Sequence, residues 1–356
     1  MRYKLLGKSG LRVSELCLGA MTFGETWGWG ASKEECRKIF ETFVGAGGNF
    51  FDTANIYTGG ESEEILGELI AAERERYVIA TKYTCSRGSG DPNAGGNQRK
   101  NIVQSLEASL KRLGTEYIDL YMVHAWDFLT PVEEVMRALD DQVRAGKILY
   151  LGITDVPAWV VAQANTLVER YGWSPFVALS LQYNLIERTS ERELLPMAEA
   201  LGLGVTAWSP LAAGILSGKY SGTASTSAET GRLHAINMTE AWLTERNQTI
   251  ARAVQQMAGE IGCSPAQLAL AWIRAQSPSL IPIVSARKNS QLQDNLACLD
   301  ITLSAEQLKR LDEVSRIELG FPLDFLATAQ SLVYGNTFDS IDSERRNILL
   351  KAGAKQ

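Results

Sequence analysis

The stretch IDLYMVHAWDFLTPVEEVMRALDDQVRAGKILYLGIT, residues 118–154, decides the fold. It opens on Ile118–His124 and closes on Ile148–Thr154. Both runs are too short for helices and apolar enough for strands buried on both faces. Between them, Thr130 and Glu133 have the spacing of a capping box, with Pro131 as first-turn proline. Strand, helix and strand in that order form the unit that joins parallel strands by a crossover helix.

The same alternation extends in both directions. Glu15–Gly19, Asn49–Asp52, Tyr77–Lys82, Val177–Gln182, Gly204–Trp208 and Leu280–Val284 bring the apolar runs to eight. Further cap signals stand at Ser32/Glu35, Ser190/Glu193, Ser264/Gln267 and Ser304/Gln307, with Pro265 behind the third. Gln98–Leu113 carries Ile102, Leu106, Leu110 and Leu113 at helical spacing. Eight strands each followed by a helix predict an α/β fold, a (β/α)₈ TIM barrel, over a doubly wound sheet. The 356 residues fit one such domain with additions. Gly7-Lys8-Ser9-Gly10 predicts a turn in an N-terminal hairpin over residues 1–15, and residues 320–356 form a C-terminal extension. Gly88–Gly96 and Tyr220–Gly231 read as loops.

Composition narrows the function classes. A net charge of −6 argues against nucleic acid or an anionic membrane surface as the main partner. No apolar run approaches the roughly 20 residues needed to span a bilayer. Lys4 and Gly7 interrupt any signal-peptide core at the N-terminus. The five cysteines, Cys17, Cys36, Cys85, Cys263 and Cys298, are odd in number and hold no C-x-x-C pair. They read as reduced thiols of a cytoplasmic protein. No metal site is expected.

Barrel enzymes place their chemistry at the C-terminal ends of the strands. Here those ends hold Asp52 with Tyr57 just beyond, Lys82, His124, Thr154-Asp155, Gln182 and Trp208-Ser209. Lys82, after an apolar run, needs a counter-charge to keep its proton, and Asp52 on the adjacent strand supplies one. Together the first four make a proton donor. A free tyrosine titrates at about 10, and an ammonium about 4 Å away would draw it down by roughly 3 units. That expectation places Tyr57 near neutral pH as general acid, with His124 orienting a carbonyl oxygen.

With these residues in place, the chain resembles the aldo-keto reductases from about Tyr3 to Ser315. The resemblance rests on Gly47-Gly48-Asn49-Phe50-Phe51-Asp52-Thr53-Ala54 through Tyr57, then Ala80-Thr81-Lys82, then Asp119-Leu120-Tyr121 to His124. It implies NADPH-dependent reduction of a small aldehyde or ketone by direct hydride transfer, with Asp52, Tyr57, Lys82 and His124 as the catalytic set. Leu5-Gly7, Arg12-Val13-Ser14 and Gly19–Gly24 are most similar to the bacterial aryl-alcohol-dehydrogenase-like and potassium-channel β-subunit branch. The resemblance also carries Trp208 to a ring stacked on nicotinamide and Gln182 to its carboxamide. The usual Ser-Asn pair of strand five is here Thr154-Asp155, and Ser285 stands where glycine is common.

No Rossmann fingerprint accompanies this expected cofactor. Gly202-x-Gly204-x-x-Ala207 overlaps a strand where the motif must follow one, and Gly214 to Lys219 lacks the spacing of a P-loop. Barrels instead bind phosphate with the loops after strands seven and eight. Ser209, Leu211, Gly214, Gly218 and Lys219 follow the seventh, and Ser285, Arg287, Gln291 and Asn295 follow the eighth. A helix start beside Arg287 makes a competent site for a ribose 2′-phosphate, and its place after strand eight in the pattern the chain resembles implies NADPH rather than NADH.

Trp27, Trp29, Trp126 and Phe128 are candidates for an aromatic-walled substrate pocket. Two other functions compete. A Schiff-base chemistry on Lys82 would need it neutral, which Asp52 opposes. An NADPH-loaded, redox-sensing regulatory subunit with little turnover would keep the same residues. The chain opens almost at the barrel cap, which favours the enzyme. A homo-oligomer is compatible with all of these readings, and His234 has no assigned partner.

Overall fold

The computed structural model describes residues 1–86, 88, 90–220 and 239–342. His234, most of the Tyr220–Gly231 segment and the end of the 320–356 extension lie outside them. A short antiparallel hairpin comes first, β1 (Tyr3–Leu5) and β2 (Arg12–Ser14), paired Tyr3 with Ser14 and Leu5 with Arg12. Eight parallel strands follow: β3 (Cys17–Gly19), β4 (Phe50–Asp52), β5 (Val78–Tyr83), β6 (Ile118–Val123), β7 (Ile148–Thr154), β8 (Phe176–Gln182), β9 (Gly204–Trp208) and β10 (Leu280–Val284). They close in sequence order, with β10 pairing β3, into a (β/α)₈ TIM barrel. The expected strands thus occur within two residues of their predicted bounds.

Alternation along each strand sorts the core into two parts. Cys17, Phe50, Val78, Ala80, Leu120, Met122, Ala178, Ile281 and Ile283 fill the barrel interior. The intervening residues pack outward against the helices in a larger cluster that includes Phe51, Ile79, Tyr121, Leu179 and Val205. Leu6 and Val13 of the hairpin join the interior group, so the hairpin plugs the N-terminal end of the barrel. Gly7 makes that fit possible. Its φ is +59°, and a Cβ there would sit 2.5 Å from the Gly204 nitrogen and 2.6 Å from the Val177 oxygen. With one end plugged, the opposite end alone is left to form a mouth.

The helix starts show where local signals were overruled. Ser264/Gln267 and Ser304/Gln307 form reciprocal capping boxes. Ser32 accepts from the Glu35 N–H, but the Glu35 carboxylate turns away to accept from the Asn289 N–H at 2.5 Å. Thr130 does not cap. Its hydroxyl donates to Asp127 Oδ2 at 2.7 Å, and the helix Val132–Arg144 begins after Pro131. Ser190 donates to the Gln182 carbonyl, and the helix Leu194–Leu201 starts later. At Glu35, Thr130 and Ser190 another hydrogen-bond partner, in the same loop for Thr130, took the side chain from its expected capping role. Among the described residues no helix is long and apolar enough to cross a membrane, and all five cysteines are free thiols.

Candidate active site

The C-terminal ends of β4, β5 and β6 bring three of the expected residues together. Asp52 is the last residue of β4 and Lys82 the fifth of β5, on strands that pair Asp52 with Ala80. Lys82 Nζ donates to Asp52 Oδ1 at 2.6 Å, to the Thr53 carbonyl at 2.9 Å and to Tyr57 Oη at 3.4 Å. His124 follows the end of β6 directly, and its N–H donates to the Thr84 hydroxyl at 3.2 Å. The Tyr57 and His124 rings meet edge-to-face with centroids 5.8 Å apart.

The surroundings hold this group in place. Tyr57 opens the turn Tyr57–Gly60, and Thr58, at φ +48°, donates its hydroxyl to the Phe23 carbonyl. Thr81, beside Lys82, donates to the fully buried Glu63 at 2.6 Å, and Glu63 accepts from Arg112 Nε at 2.7 Å. A carboxylate so paired costs far less to bury than a lone one.

Burial and charge set the protonation states. Burial alone would push Lys82 down, but the Asp52 carboxylate and the Tyr57 oxygen more than reverse it, and its pKa is raised. An ammonium so held is no nucleophile, which disfavours Schiff-base chemistry. Burial and then Lys82 lower His124 to about 3, so the imidazole is neutral at physiological pH. Tyr57 departs from expectation. Burial raises its pKa and outweighs the opposing pull of Lys82, with Asp52 adding a further rise. The residue is a fully protonated phenol rather than one poised near neutral pH.

A cavity of about 710 Å³ opens from this group across the barrel mouth. Of the expected cofactor and substrate residues, it is lined by Thr154, Asp155, Trp208, Ser209, Leu211, Gly214, Lys219, Ser285, Arg287, Gln291, Asn295, Trp27 and Trp29. Gly218 closes the turn behind the wall with φ +81°. Gln182 is not brought into the lining. Ser180, two residues earlier on the same face of β8, stands there instead. Trp126 packs into the outer core at 9% exposure, and Phe128 points outward at 69%. The aromatic wall is therefore Trp27 and Trp29, with ring centroids 5.5 Å apart, and Trp27 lies edge-on to Tyr57 at 6.4 Å.

Several lining residues escaped the sequence reading: Met21, Ile56, Cys85, Ser180 and Asp294. For Ser180 the inward parity of β8 was a usable signal. Cys85 lies past the end of β5, with Sγ 3.7 Å from His124 Nδ1, and nothing local distinguishes it.

The donor set fits a dinucleotide phosphate. At the end away from Tyr57, Lys219 has its pKa lowered by burial and by the nearby Arg287 and Lys288. Three cations gathered around one wall favour an anion. Gln291 Oε1 accepts from the Arg287 N–H at 3.0 Å, bracing the start of the helix Asn289–Leu296. Toward the catalytic group, Ser180 Oγ is fully buried and has no hydrogen-bond partner among the described residues. Such an atom in a cavity wall is one that a bound polar group would satisfy.

The aldo/keto reductase family profile matches residues 15–316. A norsolorinic acid reductase of Aspergillus flavus is 35% identical over 95% of this chain and 87% of its own length. An aryl-alcohol dehydrogenase [NADP(+)] of Phanerodontia chrysosporium is 38% identical over 88% of this chain and 85% of its own. A putative aryl-alcohol dehydrogenase of Saccharomyces cerevisiae is 34% identical over 90% and 88%. The chain belongs to the aldo/keto reductase family and is an oxidoreductase.

Proposed function

Starting from membership of the aldo/keto reductase family, we propose that this protein reduces aromatic aldehydes or ketones to alcohols with NADPH, Tyr57 serving as general acid. The observation that carries this reading is the Tyr57–Lys82–Asp52 contact chain in the wall of a cavity that Lys219 and Arg287 also line, with Lys288 close enough to act on Lys219. Bound NADPH would supply the hydride. Arg287, Lys219 and the loop after β9 would hold its phosphates, and Ser180 and Trp208 would face its nicotinamide end.

The remaining chemistry belongs to the chain. A carbonyl oxygen between Tyr57 Oη and the His124 ring receives two neutral hydrogen-bond partners. As negative charge builds on that oxygen, Tyr57 passes its proton to it. The tyrosinate left behind faces Lys82 Nζ, 3.4 Å away in the resting site. Asp52 keeps Lys82 charged for that role. Donors fixed before the reaction stabilise developing charge without reorganisation. A raised Tyr57 pKa suits this direction, because the acid is loaded at neutral pH. The paired indoles of Trp27 and Trp29 beside Tyr57 favour a flat aromatic substrate. Relatives named for aryl alcohols and norsolorinic acid support that class.

Tyr57→Phe tests the reading, since only the phenolic hydroxyl is removed. NADPH-dependent reduction of an aryl aldehyde should fall at least about 100-fold, with NADPH affinity within a few-fold of the native protein. Turnover surviving within a few-fold would assign the proton to another group.

A further inference from the structure

Among the described residues, Asp155 is the one carboxylate in the cavity wall that lies near the catalytic group and is not bound to Lys82. It follows β7 at φ +46°, a left-handed conformation for a non-glycine residue, so the fold holds it in a strained turn. Its Oδ1 accepts from Trp208 Nε1 at 3.1 Å, and its carbonyl accepts from the Trp126 N–H at 3.3 Å. The side chain is thus hydrogen-bonded to the indole at the end of β9. It is close enough to Tyr57 and Lys82 for its charge to act on both. Solvent reaches the side chain in the open cavity; partial desolvation still raises its carboxyl pKa, and the Trp208 N–H, the Thr154 hydroxyl and the Lys82 ammonium offset that rise only in part.

This position has a consequence for any hydride donor. A ring delivering hydride to a carbonyl carbon held by Tyr57 would lie in the cavity that Tyr57, Trp208 and Asp155 line together. A dihydronicotinamide is neutral. Once it has given up hydride, a proton with two electrons, it is a pyridinium with one more positive charge. A fixed carboxylate beside it distinguishes those two states by charge alone.

We infer that Asp155 is a positioning and charge-discriminating residue that makes the cavity bind the oxidised, cationic nicotinamide in preference to the reduced one. The inference rests on the NADPH reading above. It deepens that reading by assigning a direction: Asp155 favours the charge distribution formed as a carbonyl is reduced, and it holds the oxidised cofactor afterwards. A unit charge beside the ring in a partly solvated site shifts the ratio of the two affinities on the order of tenfold.

The experiment compares dissociation constants for NADP⁺ and NADPH, by calorimetry and by quenching of protein fluorescence, in the native protein and in Asp155→Asn. Asparagine keeps an oxygen for the Trp208 N–H and tolerates the left-handed turn, so it removes charge and little else. The expected result is that Asp155→Asn weakens NADP⁺ about tenfold relative to NADPH. A ratio unchanged within twofold, or both affinities falling together, overturns the inference and leaves a structural role. If neither nucleotide binds the native protein, the NADPH reading falls and the inference with it. Should the asparagine variant fail to fold by circular dichroism, Asp155→Ser removes the same charge, and the same shift in the affinity ratio decides the outcome.

Discussion

Lys82 Nζ donates to Asp52 Oδ1 across 2.6 Å, and the two side chains are 4% and 7% exposed. A pair so buried is poor evidence of net stabilisation, because desolvation offsets the attraction. Removing one partner is different, since it leaves an uncompensated charge. Asp52→Leu should lower unfolding free energy by about 3–5 kcal/mol. The double variant Asp52→Leu/Lys82→Met should regain most of that loss while remaining inactive. Urea denaturation of the three proteins checks this, and a double variant no more stable than the single would contradict it.

His124 gives a pH prediction whose sign follows from its low pKa. Burial, then Lys82, hold it at about 3, against about 6.5 in an unfolded chain. The unfolded state therefore takes up the proton first as pH falls. The neutral imidazole's contribution is complete above about pH 6.5 and is lost progressively as pH falls toward about 3. Between pH 7 and pH 5 this amounts to about 2 kcal/mol. His124→Gln, which cannot titrate, should lose less stability by about that amount when denaturation curves at the two pH values are compared.

The cation cluster predicts nucleotide selectivity. Arg287 lines the cavity beside Lys219 at the start of the Asn289–Leu296 helix. A charge-assisted bond to a 2′-phosphate is worth about 1.5–3 kcal/mol. Arg287→Ala should weaken NADPH about 10–100-fold and NADH hardly at all. Equal weakening of the two would place Arg287 away from the 2′-phosphate.

Trp29 and Trp27 predict substrate preference. Their rings meet at 5.5 Å in the cavity wall. Trp29→Ala should raise KM for an aryl aldehyde about tenfold while leaving a short aliphatic aldehyde nearly unchanged. If both substrates suffer alike, the loop is structural and the aromatic reading loses its main support.

Strand alternation made much of this site legible before folding. Asp52, Lys82 and His124 stand at or beside the ends of apolar runs, and a strand end is a property of the run itself. Tyr57 came from the same logic, as the polar aromatic in the turn after β4. Gln182 and Ser180 mark the limit. Both share one face of β8, and only the depth of the strand in the closed barrel puts Ser180 in the cavity wall. Trp126 and Phe128 fall in a loop, where no periodicity sets direction. Trp126 is drawn inward as its N–H bonds to the Asp155 carbonyl, and Phe128 turns out at φ +57°.

The amino-acid sequence by itself determined the eight strands, their order and the residue types at their ends, because burial period and cap chemistry act between near neighbours. Tertiary structure alone decided what those ends do to one another. Closure set Lys82 between Asp52 and Tyr57 and enclosed the phenol, so that desolvation, which depends on the whole surrounding wall, raised a pKa that pairwise charge alone would have lowered. It likewise set the Asp155 carboxylate against Trp208, a contact between β7 and β9 that no spacing along the chain encodes.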